Sequence, residues 1–166
     1  MPTSSLVLII GVALFVLVLI WIVISNLRHA AGMRARDSHI IDKTRIANKQ
    51  GRNRIILSIG RAGKPHSLFA LLHHIGRKSG TQYSTPVRLI HRDNAFTIPL
   101  TYGERSDWYK NLKATGTMQI TWQGQTYDVG KPERLEVSQA IDDFPWISRF
   151  LFKQEGLPGF LRVTIV

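Results

Sequence analysis

The chain has no cysteine. Disulfides, thiol nucleophiles and thiolate-ligated metals are therefore excluded. The compartment stays open, because a reducing cytosol and an oxidising exterior both accept a cysteine-free protein. The chain also lacks any charged side chain over residues 1–27. Several catalytic signatures are missing as well. Gly63-Lys64 and Lys78-Ser79 are fragments of a phosphate-binding loop, but neither completes the G-x-x-x-x-G-K-[ST] spacing. No G-x-S-x-G elbow occurs. The carboxylates form no paired pattern of the kind acid–base hydrolysis uses. There is no internal repeat and no low-complexity tract.

The uncharged start is occupied by an unbroken apolar run, Leu6 to Ile24, of 19 residues. At about 1.5 Å per residue it spans roughly 28 Å, the thickness of a hydrocarbon core. Trp21 lies near one end, where an interfacial aromatic belongs. A cleaved signal peptide wants a basic start, a shorter run and small residues at the cleavage site. Met1-Pro-Thr-Ser-Ser5 has no basic side chain, so the reading is a retained single-pass anchor over residues 1–27. Arg28, Arg34 and Arg36 follow the run and nothing basic precedes it. By the positive-inside rule the N-terminus is expected outside and the remainder of the chain in the cytoplasm.

The net charge of +11 invites a nucleic-acid reading, so its location decides. Residues 28–64 hold ten Lys/Arg against Asp37 and Asp42, whereas residues 65–166 hold twelve against nine acids. The excess sits beside the anchor, where anionic headgroups favour each basic residue by about 1 kcal/mol. No nucleic-acid-binding signature accompanies it. The expected partner is the lipid bilayer, with no nucleic acid.

Residues 28–64 read as a basic juxtamembrane stalk, helical over Asp37–Gly60 but interrupted at Gly51 and Asn53. Gly60-Arg-Ala-Gly-Lys-Pro65 is a breaker cluster and marks a boundary. Residues 65–166 then form one domain. Strands are expected at Ser67–Ile75, Thr85–Arg92, Ala95–Tyr102, Thr117–Gln123, Gln125–Leu135 and Phe160–Val166. Turns are expected at Gly76–Gly80, Asp93-Asn94 and Gly124. A short helix over Ser106–Ala114 has Ser106 as its cap, and a second over Val137–Lys153 must kink at Pro145. The class is mainly β (α+β), a small barrel with inserted helices. His73 and His74 tempt a metal reading, but neighbouring side chains on a strand point to opposite faces, so no metal site is expected.

Gly76-Arg77-Lys78-Ser79-Gly80 is the strongest remaining feature. Glycine lets the backbone turn tightly and approach a ligand. Arg77, Lys78 and Ser79 would suit an anion such as phosphate or carboxylate. This turn, then Thr85-Pro86-Val87, then Thr101-Tyr102-Gly103, then Asp107-Trp108-Tyr109-Lys110-Asn111-Leu112, follow one another at compact spacing. The ordered set resembles the deazaflavin (F420)-dependent nitroreductase family, over roughly residues 50–165.

The resemblance implies a split β-barrel like that of flavin-binding proteins, and coenzyme F420 as cofactor, with FMN the alternative. It implies that Arg77, Lys78 and Ser79 hold the anionic tail. Tyr83, Ser84, Thr85, Pro86, Val87 and Arg88 would run beside the cofactor. Pro99, Leu100, Thr101 and Tyr102 would line the ring, and Asp107, Trp108, Tyr109, Lys110 and Asn111 would close the site. Tyr102 or Tyr109 is the candidate proton donor to the acceptor. Relatives often carry further basic residues just after the glycine turn. Thr81, Gln82, Tyr83 and Ser84 stand there instead, leaving Arg88 or Arg105 to compensate. The expected function is a membrane-anchored oxidoreductase passing hydride from reduced F420 to a small, lipophilic acceptor of the quinone or nitro class. The alternative is a split barrel that binds a cofactor or lipid without turnover. A homodimer is the expected assembly, by analogy only.

Overall fold

The computed structural model describes residues 3–166, with side chains from Gly11 onward except Ala13. The part of the expected apolar run at residues 6–10 therefore lies outside the described side chains.

Helix α1 (Thr3–Arg34) carries the apolar run and continues beyond it. Every side chain from Leu14 to His29 is exposed. Its described part is long and apolar enough to cross a membrane. At its end Arg36 adopts φ 57° and the chain reverses. Asp37 then caps helix α2 (Ser38–Gln50), its carboxylate accepting from the His39 and Ile40 amides at 2.8 and 3.2 Å. Gly51 separates α2 from helix α3 (Arg52–Ser58). The expected stalk is thus two helices, broken at the glycine that interrupts the apolar pattern. Met33 and Ile41 are buried where the first two helices meet.

Seven strands follow: β1 (Ala70–Ile75), β2 (Gln82–Val87), β3 (Ile90–Arg92), β4 (Ala95–Pro99), β5 (Met118–Trp122), β6 (Gln125–Leu135) and β7 (Phe160–Ile165). All pairings are antiparallel, in the order β2-β1-β5-β6-β7-β4-β3. This order forces the sheet to curl. A flat seven-stranded sheet would hold its edges about 29 Å apart. Yet the edge strands β2 and β3 are joined through Arg88 and Leu89 alone, a link that reaches about 11 Å at most. The result is a curled antiparallel sheet approaching a barrel, in keeping with the mainly-β expectation. The single strand expected over Thr85–Arg92 is two strands, because the chain crosses there from one edge to the other. In β6 a register shift between Gly130 and Glu133 bends the strand.

The core lies inside the curl. Leu72, Phe96, Ile98, Ile120, Val129 and Val163 are fully buried. Helix α4 (Asp107–Thr115) covers one end with Trp108 and Leu112, and Gly116 closes it in the left-handed conformation. Ser106 is its cap residue but makes no side-chain cap bond. Helix α5 (Val137–Ala140) and helix α6 (Trp146–Glu155) are separated by Phe144-Pro145, as the proline requires. They enclose a second cluster in which Phe144 stacks on Phe160 at 5.0 Å.

Candidate functional site

The β1–β2 turn is built by its glycines. The Gly76 amide donates to the Thr81 carbonyl and the Gly80 amide to the Gly76 carbonyl, each at 2.8 Å. Gly80 takes φ 66°, and a Cβ on Gly76 would stand 2.5 Å from Ser79 Oγ. The turn therefore presents Arg77 and Lys78 outward while Ser79 Oγ lies 3.3 Å from the Tyr83 hydroxyl.

Asn111 fixes the turn to helix α4. Its Oδ1 accepts from the Arg77 amide at 3.2 Å and from Arg77 Nη1 at 2.9 Å. Its amide nitrogen donates to His74 Nδ1 at 2.9 Å, and His74 Nε2 donates to Thr85 Oγ1 at 3.0 Å. This assignment makes His74 a neutral imidazole with both nitrogens used. Burial is the main reason its pKa is pushed down to about 4, with Asp107 opposing and His73 and Lys49 reinforcing the shift. His74 points inward, while His73 on the other face bonds Ser84 and Thr121. Among the described residues no group of three or more His, Asp or Glu is arranged to hold a metal.

Asp107, in the first turn of α4, gathers cations. Arg45 lies 3.2 Å from its carboxylate, Lys49 3.5 Å and Arg77 4.0 Å. Beside this cluster opens a cavity of about 730 Å³, within the range of cofactor sites.

The cavity wall contains Arg77, Lys78 and Ser79 from the turn, and Tyr83, Ser84, Thr85, Pro86, Val87 and Arg88 from β2 and its exit. Pro99, Thr101 and Tyr102 reach it from the end of β4, and Asp107, Trp108 and Asn111 from α4. Three residues named from the sequence do not line it: Leu100, Tyr109 and Lys110. Leu100 and Tyr109 are buried in the core, where Tyr109 packs edge-on to Trp108. Lys110 is exposed on α4. Of the two tyrosines proposed as proton donors, Tyr102 alone faces the cavity, and its hydroxyl accepts from Asn48 Nδ2.

The sequence reading missed one wall. Arg45, Asn48 and Lys49 of α2, with Arg52 of α3, line the cavity. Arg45 and Lys49, four residues apart, share one face of α2, and Arg52 opens α3 just beyond Gly51. The spacing of Arg45 and Lys49 was legible, but the face it would turn toward the barrel was not. These cations share the cavity with Arg77 and Lys78 of the turn, which Thr81–Ser84 leave without further basic residues. Arg88 also reaches the cavity, whereas Arg105 is held by Asp42 at 2.7 Å. Helix α1 contributes His29 and Met33, and α6 contributes Leu151, Phe152 and Glu155.

The donor set suits an anionic, extended cofactor. Six Lys/Arg side chains line the cavity against the two carboxylates of Asp107 and Glu155. Trp108, Pro99 and Val87 supply apolar surface nearby. A curled antiparallel sheet with such a cavity defines a class, the partly closed β-barrels with a site for an extended anionic ligand. Residues 45–134 match the model of the F420H(2)-dependent quinone reductase family, and the chain belongs to that family. It is an F420-dependent oxidoreductase, and its cofactor is coenzyme F420. Among solved structures, an F420-H2 dependent reductase is similar at 20% identity, over 58% of this chain and 93% of that one, with a TM-score of 0.44. A putative pyridoxamine 5'-phosphate oxidase from Listeria innocua is similar at 12% identity, over 68% and 90%, with a TM-score of 0.43. A protein described as a domain-swapped dimer is similar at 20% identity, over 58% and 79%, with a TM-score of 0.44. No curated protein sequence matches the chain.

Proposed function

We propose that this protein is a membrane-anchored reductase that passes hydride from reduced F420 to a lipid-soluble acceptor of the quinone class. Residues 1–27 serve as the anchor, 28–64 connect it to the barrel and supply one wall of the cavity, and 65–166 form the barrel, on the cytoplasmic side. The observation that carries the reading is the cationic wall joined to an apolar one in a single cavity.

Lys78, Arg77 and the α2 cations grip the acidic tail, each charge-assisted contact contributing about 1.5–3 kcal/mol. Asp107 and Asn111 hold those cations in place rather than touching the acceptor. Trp108, Pro99 and Val87 orient the flat part and keep water from it. Reduced F420 supplies a hydride, two electrons with one proton, and a quinone needs one further proton to become the hydroquinone. The Tyr102 hydroxyl, oriented by Asn48, is a group in the cavity suited to hold that proton.

The test is a fluorescence titration of wild type and Lys78→Ala with F420, followed by turnover of F420H2 with a quinone and with a nitro compound. Lys78→Ala should weaken binding about ten-fold or more, as loss of one such contact implies. The fold should be unaffected, because Lys78 is exposed. Equal affinity of the two proteins would remove the tail-binding role. Binding without turnover of either acceptor would make the protein a cofactor carrier instead.

A further inference from the structure

Helix α6 carries apolar side chains on two sides. Phe152 points into the core, packed at 5.2 Å on Phe144 and 5.8 Å on Phe160. Trp146, Ile147, Phe150 and Leu151 point away from it, 71%, 53%, 57% and 42% exposed. At about 100° per residue these four fall on one broad stripe of the helix. Such a cluster of large apolar groups in water calls for a partner.

Continuity with α1 identifies what covers it. The two helices pack together. A Cβ on Gly156, at the end of α6, would stand 2.7 Å from Arg34 Cα, so the backbones touch where α1 ends. Helix α1 is itself exposed and apolar from Leu14 to Leu27, apart from Ser25 and Asn26. Lipid covers the α1 surface and the neighbouring α6 stripe together, and it is the occupant that the length and apolar character of α1 call for. Trp146 and Lys153 of α6, with Arg28 and Arg34 of α1, are side chains that favour a headgroup boundary.

We infer that α6 is an interfacial helix whose Trp146–Leu151 stripe sits in the headgroup layer of the bilayer beside the anchor. Leu151 belongs both to this stripe and to the cavity wall. The cavity mouth therefore meets the lipid, and an acceptor dissolved in the membrane enters without crossing water. The inference rests on the anchoring role proposed for α1.

The absence of cysteine makes the test direct, since one introduced thiol is labelled alone. Full-length Trp146→Cys, Phe150→Cys, Leu17→Cys and Gln125→Cys, each carrying an environment-sensitive fluorophore, are reconstituted into vesicles of phosphatidylcholine and phosphatidylglycerol. Labels at 146 and 150 should be quenched by a lipid-borne quencher near the headgroup at least about threefold more than the label at 125, where β6 leaves the β5–β6 turn, as expected for an interfacial helix. The label at 17 should respond to a quencher deep in the acyl region. Iodide quenching at 146 and 150 equal to that at 125, with 17 still in lipid, would overturn the inference and leave the anchor intact. Protection from both iodide and lipid quenchers at 146 and 150 would overturn it in favour of a second copy of the chain. A label at 17 in water would overturn the anchor reading and the inference together. Near-ultraviolet circular dichroism confirms that each variant is folded.

Discussion

His74 illustrates how one side chain couples the fold to the cationic turn. It ties β1 to α4 through Asn111, and Asn111 in turn holds Arg77. The bonds need the neutral ring, and burial depresses its pKa to about 4. A histidine that is harder to protonate folded than unfolded adds stability above its unfolded pKa, about 6.5. That contribution is lost as pH falls from there toward the folded value, because the unfolded chain then binds the extra proton. Thermal unfolding of the full-length protein should therefore show a midpoint that declines between about pH 6.5 and pH 4. His74→Gln should flatten that part of the profile. A profile unchanged by the substitution would assign the slope to other groups.

At the level of elements, α2 is the piece whose role changed most on folding. Its start depends on Asp37, whose carboxylate satisfies two amides that the helix leaves unpaired. Asp37→Ala should cost about 1 kcal/mol, measured by denaturant unfolding. The same variant should bind F420 more weakly, because Arg45 and Lys49 ride on this helix. A variant with lower stability and unchanged affinity would separate the helix from the site. The β1–β2 turn behaves oppositely: its glycines and internal hydrogen bonds define it locally.

For the whole molecule, the arrangement of charge sets the expected topology. Arg28, Arg34 and Arg36 follow the apolar run, and no basic side chain precedes it. Protease added to intact cells should spare a C-terminal tag, and digestion of the tag in sealed cells would reverse the orientation. The cavity draws on α1, α2, α3, three strands and their turns, α4 and α6. It is thus assembled between the segment that leaves the apolar helix and the barrel, and truncation at residue 64 would remove one of its walls.

Much of this was written locally in the chain. The apolar run, the breaker cluster before Pro65, the hairpin turns at Asp93-Asn94 and Gly124, and the interruption at Pro145 all act over a few residues, so they can be read in order. The β1–β2 turn was legible for the same reason, and with it Arg77 and Lys78. The closing of the barrel was not, because it depends on which strands pair, and β2 and β3 are sequence neighbours at opposite edges of the sheet. Nor was the partition of the basic segment. Arg45, Lys49 and Arg52 carry the same charge as Arg54 and Arg61, but only the packing of α2 and α3 against the barrel turns the first three into the cavity wall. Tyr109 and Trp108 are adjacent on one helix, yet one enters the core and the other also faces the cavity. The direction of a helix face is set by what packs against it, a long-range contact that no local pattern encodes.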